Sequence, residues 1–145
     1  MDYGAVAHAL FDAVQQHDYE RCTAIMAPGC VVVENARTIH PAHAVYGPAN
    51  PAWVIVRDLH YADRCYLPGG AEVRLRHEVR GTTVLDVAFR VPVTARLRFG
   101  RSGRVYRIEE SFDPVLFSPL AEAIAARAHT TASDPRAYRA EPLPE

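Results

Sequence analysis

Apolar residues at Val6, Ala7, Leu10, Phe11 and Val14 mark one face of a helix, with Asp2 placed to cap its start. Asp18 is set to cap a second, short helix that carries Tyr19, Cys22, Ile25 and Met26, and Pro28-Gly29 reads as its stop. The β-branched run from Cys30 to Asn35 predicts a strand. Residues 36 to 52 contain Pro41, Gly47, Pro48 and Pro51 and predict a loop with at most one helical turn. From Ala52 to Leu59 neither period is clean, and helix and strand both stay open. His60 to Leu67 and Ala71 to Arg80 flank Pro68-Gly69-Gly70 as the arms of a hairpin. In the second arm Val73, Leu75, His77 and Val79 face one way, with Arg74, Arg76, Glu78 and Arg80 opposite. Val84 to Phe99 reads as one long strand, or two interrupted near Pro92, and Gly100 to Gly103 turns it into a final strand. Ser118-Pro119 opens an alanine-rich helix that extends to His129. Helices first and a run of antiparallel strands after them predict an α+β domain over residues 1–129, followed by a flexible tail over 130–145.

The final strand holds the most telling pattern. Tyr106, Ile108, Glu110 and Phe112 share one parity, and Val105, Arg107, Glu109 and Ser111 share the other. A carboxylate is thereby placed on an apolar face, where an unpartnered charge is costly. Either Glu110 has chemical work, or an arginine such as Arg96 or Arg98 pairs it, or the face is open to solvent.

Composition narrows the function classes. At 145 residues, with 49% hydrophobic and 23% charged side chains, the chain is the size of one globular domain. Sixteen basic groups, all arginine, against seventeen acidic ones give a net charge of −1, so no nucleic-acid partner is expected. No apolar run approaches the roughly 20 residues of a bilayer span, and no leader pattern opens the chain. Cys22, Cys30 and Cys65 form no C-x-x-C pair and read as reduced thiols, which predicts a cytoplasmic protein without membrane attachment. His40-Pro41-Ala42-His43, even with His60, matches no strong zinc spacing, so no metal is expected.

Four features in order carry a resemblance: the Asp18 helix junction, the apolar strand ending in Glu34-Asn35, Gly47 ahead of the ambiguous segment, and the Arg104-to-Pro114 strand. Together, over about residues 3 to 117, they resemble the SnoaL-like branch of the NTF2-like superfamily. That resemblance implies a curved antiparallel sheet wrapped around helices into a cone with an apolar pocket, and a third helix over residues 48–59. Its relatives include polyketide cyclases, ketosteroid isomerase, limonene-epoxide hydrolase and many non-enzymes. By the same likeness Glu110 stands where the hydrolase has its catalytic aspartate, Asn35 where it has a water-positioning asparagine, and His77 roughly where it has an arginine. The hydrolase's second acid corresponds to Val79. Against the isomerase, the base position is the amide of Asn35, the tyrosine donor falls near Leu10, and the protonated acid near Ala95. Neither enzyme's set is reproduced.

The expected catalytic residues are therefore Glu110 as general acid or base, with Asn35 and His77 orienting the reacting group. Asn35 also reads as a strand-ending residue bonding nearby backbone, and His77 as a satisfied core histidine. Val33, Trp53, Tyr61, Tyr106, Ile108 and Phe112, with Tyr46, are candidate walls for a small apolar ligand, or plain core. Two functions stay open: a cofactor-independent enzyme acting on a polyketide- or terpenoid-like molecule, and a non-catalytic domain that binds a ligand or forms a homodimer through its sheet.

Overall fold

The computed structural model describes residues 1–133 and has the expected α+β architecture. Helix α1 spans Tyr3–Gln15, and the Asp2 carboxylate caps it by accepting from the Ala5 amide at 3.0 Å. Asp18 does the same for α2, Tyr19–Ile25, accepting from Arg21 at 3.1 Å. Ala7, Leu10, Phe11 and Val14 of α1 are all buried, so the helical face expected from their spacing is the one that meets the sheet.

Six strands follow: β1 Met26–Glu34, β2 Thr38–Pro41, β3 Val56–Gly69, β4 Glu72–Thr83, β5 Ala88–Phe99 and β6 Val105–Ser111. They form one sheet in the order β2-β1-β6-β5-β4-β3. All neighbours are antiparallel except β1 and β6, which run parallel. The short helices α3 (Ala42–Tyr46) and α4 (Ala52–Ile55) cross between β2 and β3, and a 3-10 turn at Pro114–Phe117 leads into α5, Ser118–Ser133.

The alternation read in β4 holds: Val73, Leu75, His77 and Val79 are buried, and in β5 Phe89, Val91, Val93, Ala95, Leu97 and Phe99 are buried beside them. These form the concave face, closed by α1. The sheet bends where its register slips. In β3 the slips fall between Arg57 and His60 and between Ala62 and Cys65, with Asp58 at φ 54° and Asp63 at φ 56°. Aspartate enters this left-handed region more readily than most residues, and an extra residue on one strand bends it. Arg64 fastens the bent strand to α1, with Nη1 2.6 Å from Asp12 Oδ1 and Nη2 3.0 Å from Gln15 Oε1.

Several expectations are corrected. Pro28-Gly29 lies inside β1 rather than stopping α2, because a register shift between Met26 and Val31 absorbs it. The loop expected over 36–52 holds β2 and α3, whose order comes from pairing with β1 and from buried Ala42 and Tyr46. Residues 52–59 are both things in turn, four helical residues and then strand, so the third helix implied over 48–59 is reduced to α4. Pro92 does not break β5; its side chain sits on the exposed face opposite Glu78. Tyr106 turns outward, 45% exposed, because a slip between Arg98 and Phe99 puts Val105 and Ile108 both inside. Helix α5 continues to Ser133, past the expected end at His129; the rest of the expected tail, 134–145, lies outside the described residues.

Gly81 shows how tightly the wide end of the sheet is packed. A Cβ there would stand 2.6 Å from Val56 Cγ1 and 2.9 Å from Phe89 Cζ. Gly81→Ala should cost about 1–3 kcal/mol in urea denaturation. Gly69→Ala, with nothing within 4 Å of the added carbon, should stay within about 0.5 kcal/mol.

Candidate active site

Glu110 occupies the next-to-last position of β6, in register with Ala95 of β5 on one side and Glu34 of β1 on the other. Ala95 is on the concave face, so the pleat aims Glu110 inward as its parity with Ile108 requires. Neither Arg96 nor Arg98 reaches it. Their Nε atoms lie 3.3 Å from Glu72 and 3.2 Å from Glu109, on the outer face.

A cavity of about 960 Å³ opens between the concave face and helices α3, α4 and α5. Glu110, Tyr46, Trp53, Tyr61, His77 and Phe112 line it, with further apolar walls from α5. The Tyr46 hydroxyl donates a hydrogen bond to Glu110 Oε1. Tyr46 ends α3, and the segment after it is tied down: Asn50 Nδ2 donates to Val45 O at 2.8 Å and Trp53 Nε1 to Gly47 O at 2.7 Å. The donor therefore comes from a fastened element.

Burial pushes the Glu110 carboxyl up to about 7; the Tyr46 hydrogen bond pulls against this, and the negative charge of Glu34 adds to it. Near neutrality such a group is divided between acid and base forms, so it can take up or deliver a proton. Burial and the Glu110 charge push the Tyr46 phenol well above its usual range. Tyr61 is raised by the same two causes, which places its phenol within electrostatic reach of the carboxyl.

Asn35 and His77 stand differently. Asn35 follows β1 at φ 52°; its Oδ1 accepts from the Phe112 backbone N–H at 2.9 Å, and its own backbone N–H donates to the Glu110 carbonyl oxygen at 2.8 Å. It pins the end of β6 and lines the cavity as well. His77 is buried, with ring centroids 4.8 Å from both Phe11 and Tyr61, and its Nδ1 is buried without a hydrogen-bond partner among the described residues. Burial, with the Arg64 charge, lowers its pKa to about 4. The residue expected to orient the reacting group is thus an imidazole that is neutral at pH 7.

Among the expected ligand-contacting residues, Trp53, Tyr61 and Phe112 line the cavity. Ile108 is fully buried within the sheet, Val33 is buried too but on the face opposite Glu34, in register with Glu109, and Tyr106 points to solvent. Two groups at the site were not read as reactive from sequence. Tyr46 stood out only as a pocket aromatic. Glu34 shares the parity of buried Val32, and that was the available signal. Within the histidine-rich segment, His40 Nε2 lies 2.6 Å from Glu34 Oε1, and no three His, Cys, Asp or Glu side chains among the described residues converge as a metal site.

No family model matches the chain, and no curated protein matches it. Solved structures do. A Shewanella putrefaciens protein named for its likeness to SnoaL-like polyketide cyclases superposes with a TM-score of 0.70 at 13% identity, over 84% of this chain and 97% of that one. An NTF2-like protein of Burkholderia xenovorans gives 0.65 at 18% identity, over 83% and 94%. An LEH-like epoxide hydrolase of M. tuberculosis gives 0.66 at 14% identity, over 88% and 96%. At these identities the likeness is one of fold: the chain has the NTF2-like cone.

The raised carboxyl has a consequence for stability. Free glutamate titrates near 4.5 and folded Glu110 near 7, so its stabilising contribution is full below pH 4.5 and is lost as the pH rises through 7. His77 works the other way: its contribution is present above 6.5 and lost as the pH falls through about 4. Glu110→Gln should gain on the wild type between about pH 5 and about pH 8, by at most about 3 kcal/mol in urea denaturation. A constant difference would contradict the burial of the carboxyl. Tyr46→Phe removes a hydrogen bond to the ionised form, so the Glu110 titration followed by carboxyl ¹³C NMR should move above 7.

Proposed function

We propose that this chain is a small cofactor-independent enzyme that acts on an apolar metabolite of polyketide or terpenoid type by general acid–base chemistry, of the isomerase, cyclase or epoxide hydrolase kind. The observation that carries the reading is the Glu110 carboxyl, raised to about 7 and hydrogen-bonded by Tyr46 within a cavity of about 960 Å³. That volume suits a small organic molecule. An acid poised near the working pH is what proton transfer to or from carbon, or activation of water, requires.

In this reading Glu110 removes or delivers the proton. Tyr46 holds its Oε1 in place, leaving Oε2 for the substrate. Neutral His77 contributes hydrogen-bonding capacity through Nδ1. Asn35 keeps the end of β6, and with it Glu110, in position; its Nδ2, which donates to no described protein group, is the part available to a substrate. Trp53, Tyr61 and Phe112 hold the apolar body. The fold relatives named for cyclase and epoxide hydrolase activities agree with this class of chemistry without selecting one member of it.

The proposal includes a homodimer joined through the outer face of the sheet, where Ile39 and Leu67 are 63% and 67% exposed. It also places the protein in the cytoplasm, in keeping with three free cysteines. No helix among the described residues is long and apolar enough to cross a membrane.

A second reading, ligand binding without turnover, is favoured by one observation: the Asn35 carbonyl is committed to the Phe112 amide and not to the cavity. Glu110→Gln separates the two. Screened against a panel of apolar enones, epoxides and polyketide-like substrates, the variant should lose about 10²- to 10⁴-fold in kcat while keeping its fold and ligand affinity. Unchanged turnover removes Glu110 from the chemistry, and binding with no turnover by the wild type favours the second reading.

A further inference from the structure

The chemistry assigned to Glu110 leaves one feature of the cavity unused. Glu34 ends β1 and pairs with Glu110 in parallel register, so the two carboxylates leave adjacent strands on the same face. Both line the cavity. Like charges directly opposite one another on a sheet are destabilising. On the outer face the same sheet avoids this by setting arginines between its acids: Glu72 meets Arg74, Arg96 and Arg98, and Glu109 meets Arg98 and Arg107. No arginine among the described residues forms an ion pair with either Glu34 or Glu110. Glu34 is instead held by His40, which reaches across from β2 with Nε2 at 2.6 Å from Oε1.

Resting on the reading of Glu110 as the acid–base group, we propose that Glu34 is a positioning residue of the site, held by His40 so that its charge acts across the β1–β6 ladder to keep the proton on Glu110. The groups that face Glu110 leave this task to Glu34. Tyr46 from α3 donates a hydrogen bond, which favours the ionised form. Tyr61 from β3 and His77 from β4 are neutral at pH 7. β5 presents Ala95, and α5 presents Leu120 and Ile124. Arg37, in the turn after β1, is the one cation among the described residues that lines the cavity, and its charge would draw the proton off. Burial begins the retention of the proton, and Glu34 is the group that adds to it.

The test needs no substrate. In protein labelled with carboxyl-¹³C glutamate, the Glu110 signal is assigned by its loss in Glu110→Gln and titrated in the wild type, Glu34→Gln and Glu34→Asp. Near-ultraviolet circular dichroism establishes that each variant is folded. The expected result is a midpoint near 7 in the wild type. It should fall by about half a unit or more in Glu34→Gln, the size of one unit charge a strand spacing away under water-like screening. Glu34→Asp, which keeps the charge, should return most of the shift. An unchanged midpoint in Glu34→Gln overturns the inference and leaves the reading of Glu110 intact. Equal shifts in both variants overturn it also, since shape rather than charge would then be acting. A wild-type midpoint in the ordinary glutamate range overturns the acid–base reading itself.

Discussion

The cavity rests on one constraint: a carboxyl group at the end of β6 is kept away from bulk water. An isolated charge in an apolar hollow is expensive, and proteins commonly resolve this by holding the group protonated or by giving it partners. Here both happen. The cavity wall retains the proton, and the Tyr46 phenol stabilises the form that has lost it. The opposing effects leave the group near neutrality, where either protonation state is accessible. Almost everything else described around the cavity supports that balance, from the fastened segment after α3 to the Asn35 clamp on the end of β6.

The bend of the sheet is what turns a strand end into a cavity floor. Six strands laid flat would leave Glu110 against solvent. Slips in β1, β3 and β6 curl the sheet, and α1 fills the narrow part of the hollow with Leu10, Phe11 and Val14. The wide part is left for the cavity, bordered by Phe112 and Phe117, whose rings meet edge to face at 5.1 Å. Arg64 works at the junction of these regions, tying β3 to α1 while its charge helps keep His77 neutral.

Long, regular elements were legible in the sequence because one side chain period settles each of them. The face of α1, the inward row of β4 and the inward aim of Glu110 all follow from local alternation. The parts that were not legible depend on partners distant in the chain. Four residues of β2 have no pattern of their own and become a strand only by pairing with β1. Pro28-Gly29, a stop signal locally, is absorbed by a bulge. The parity that placed Glu110 correctly misplaced Tyr106, since a single slipped residue between them reverses the facing of everything before it. At the site, residue type pointed to Glu110 and to Trp53, Tyr61 and Phe112, which line the cavity, but which hydroxyl would meet the carboxyl depended on where α3 docks. Asn35 bonds backbone, which is one of its two readings, and it does so beside the cavity.

The aspartate bulges of β3 also matter for a hazard far from the cavity. β3 is an edge strand, fourteen residues long, and an edge of that length, if straight, is a template on which another chain can add a strand. Two left-handed aspartates break it into short, differently directed pieces and add charged side chains along it. The opposite edge, β2, is only four residues long. The distortions that shape the hollow thus also guard the open sheet against self-association into fibres.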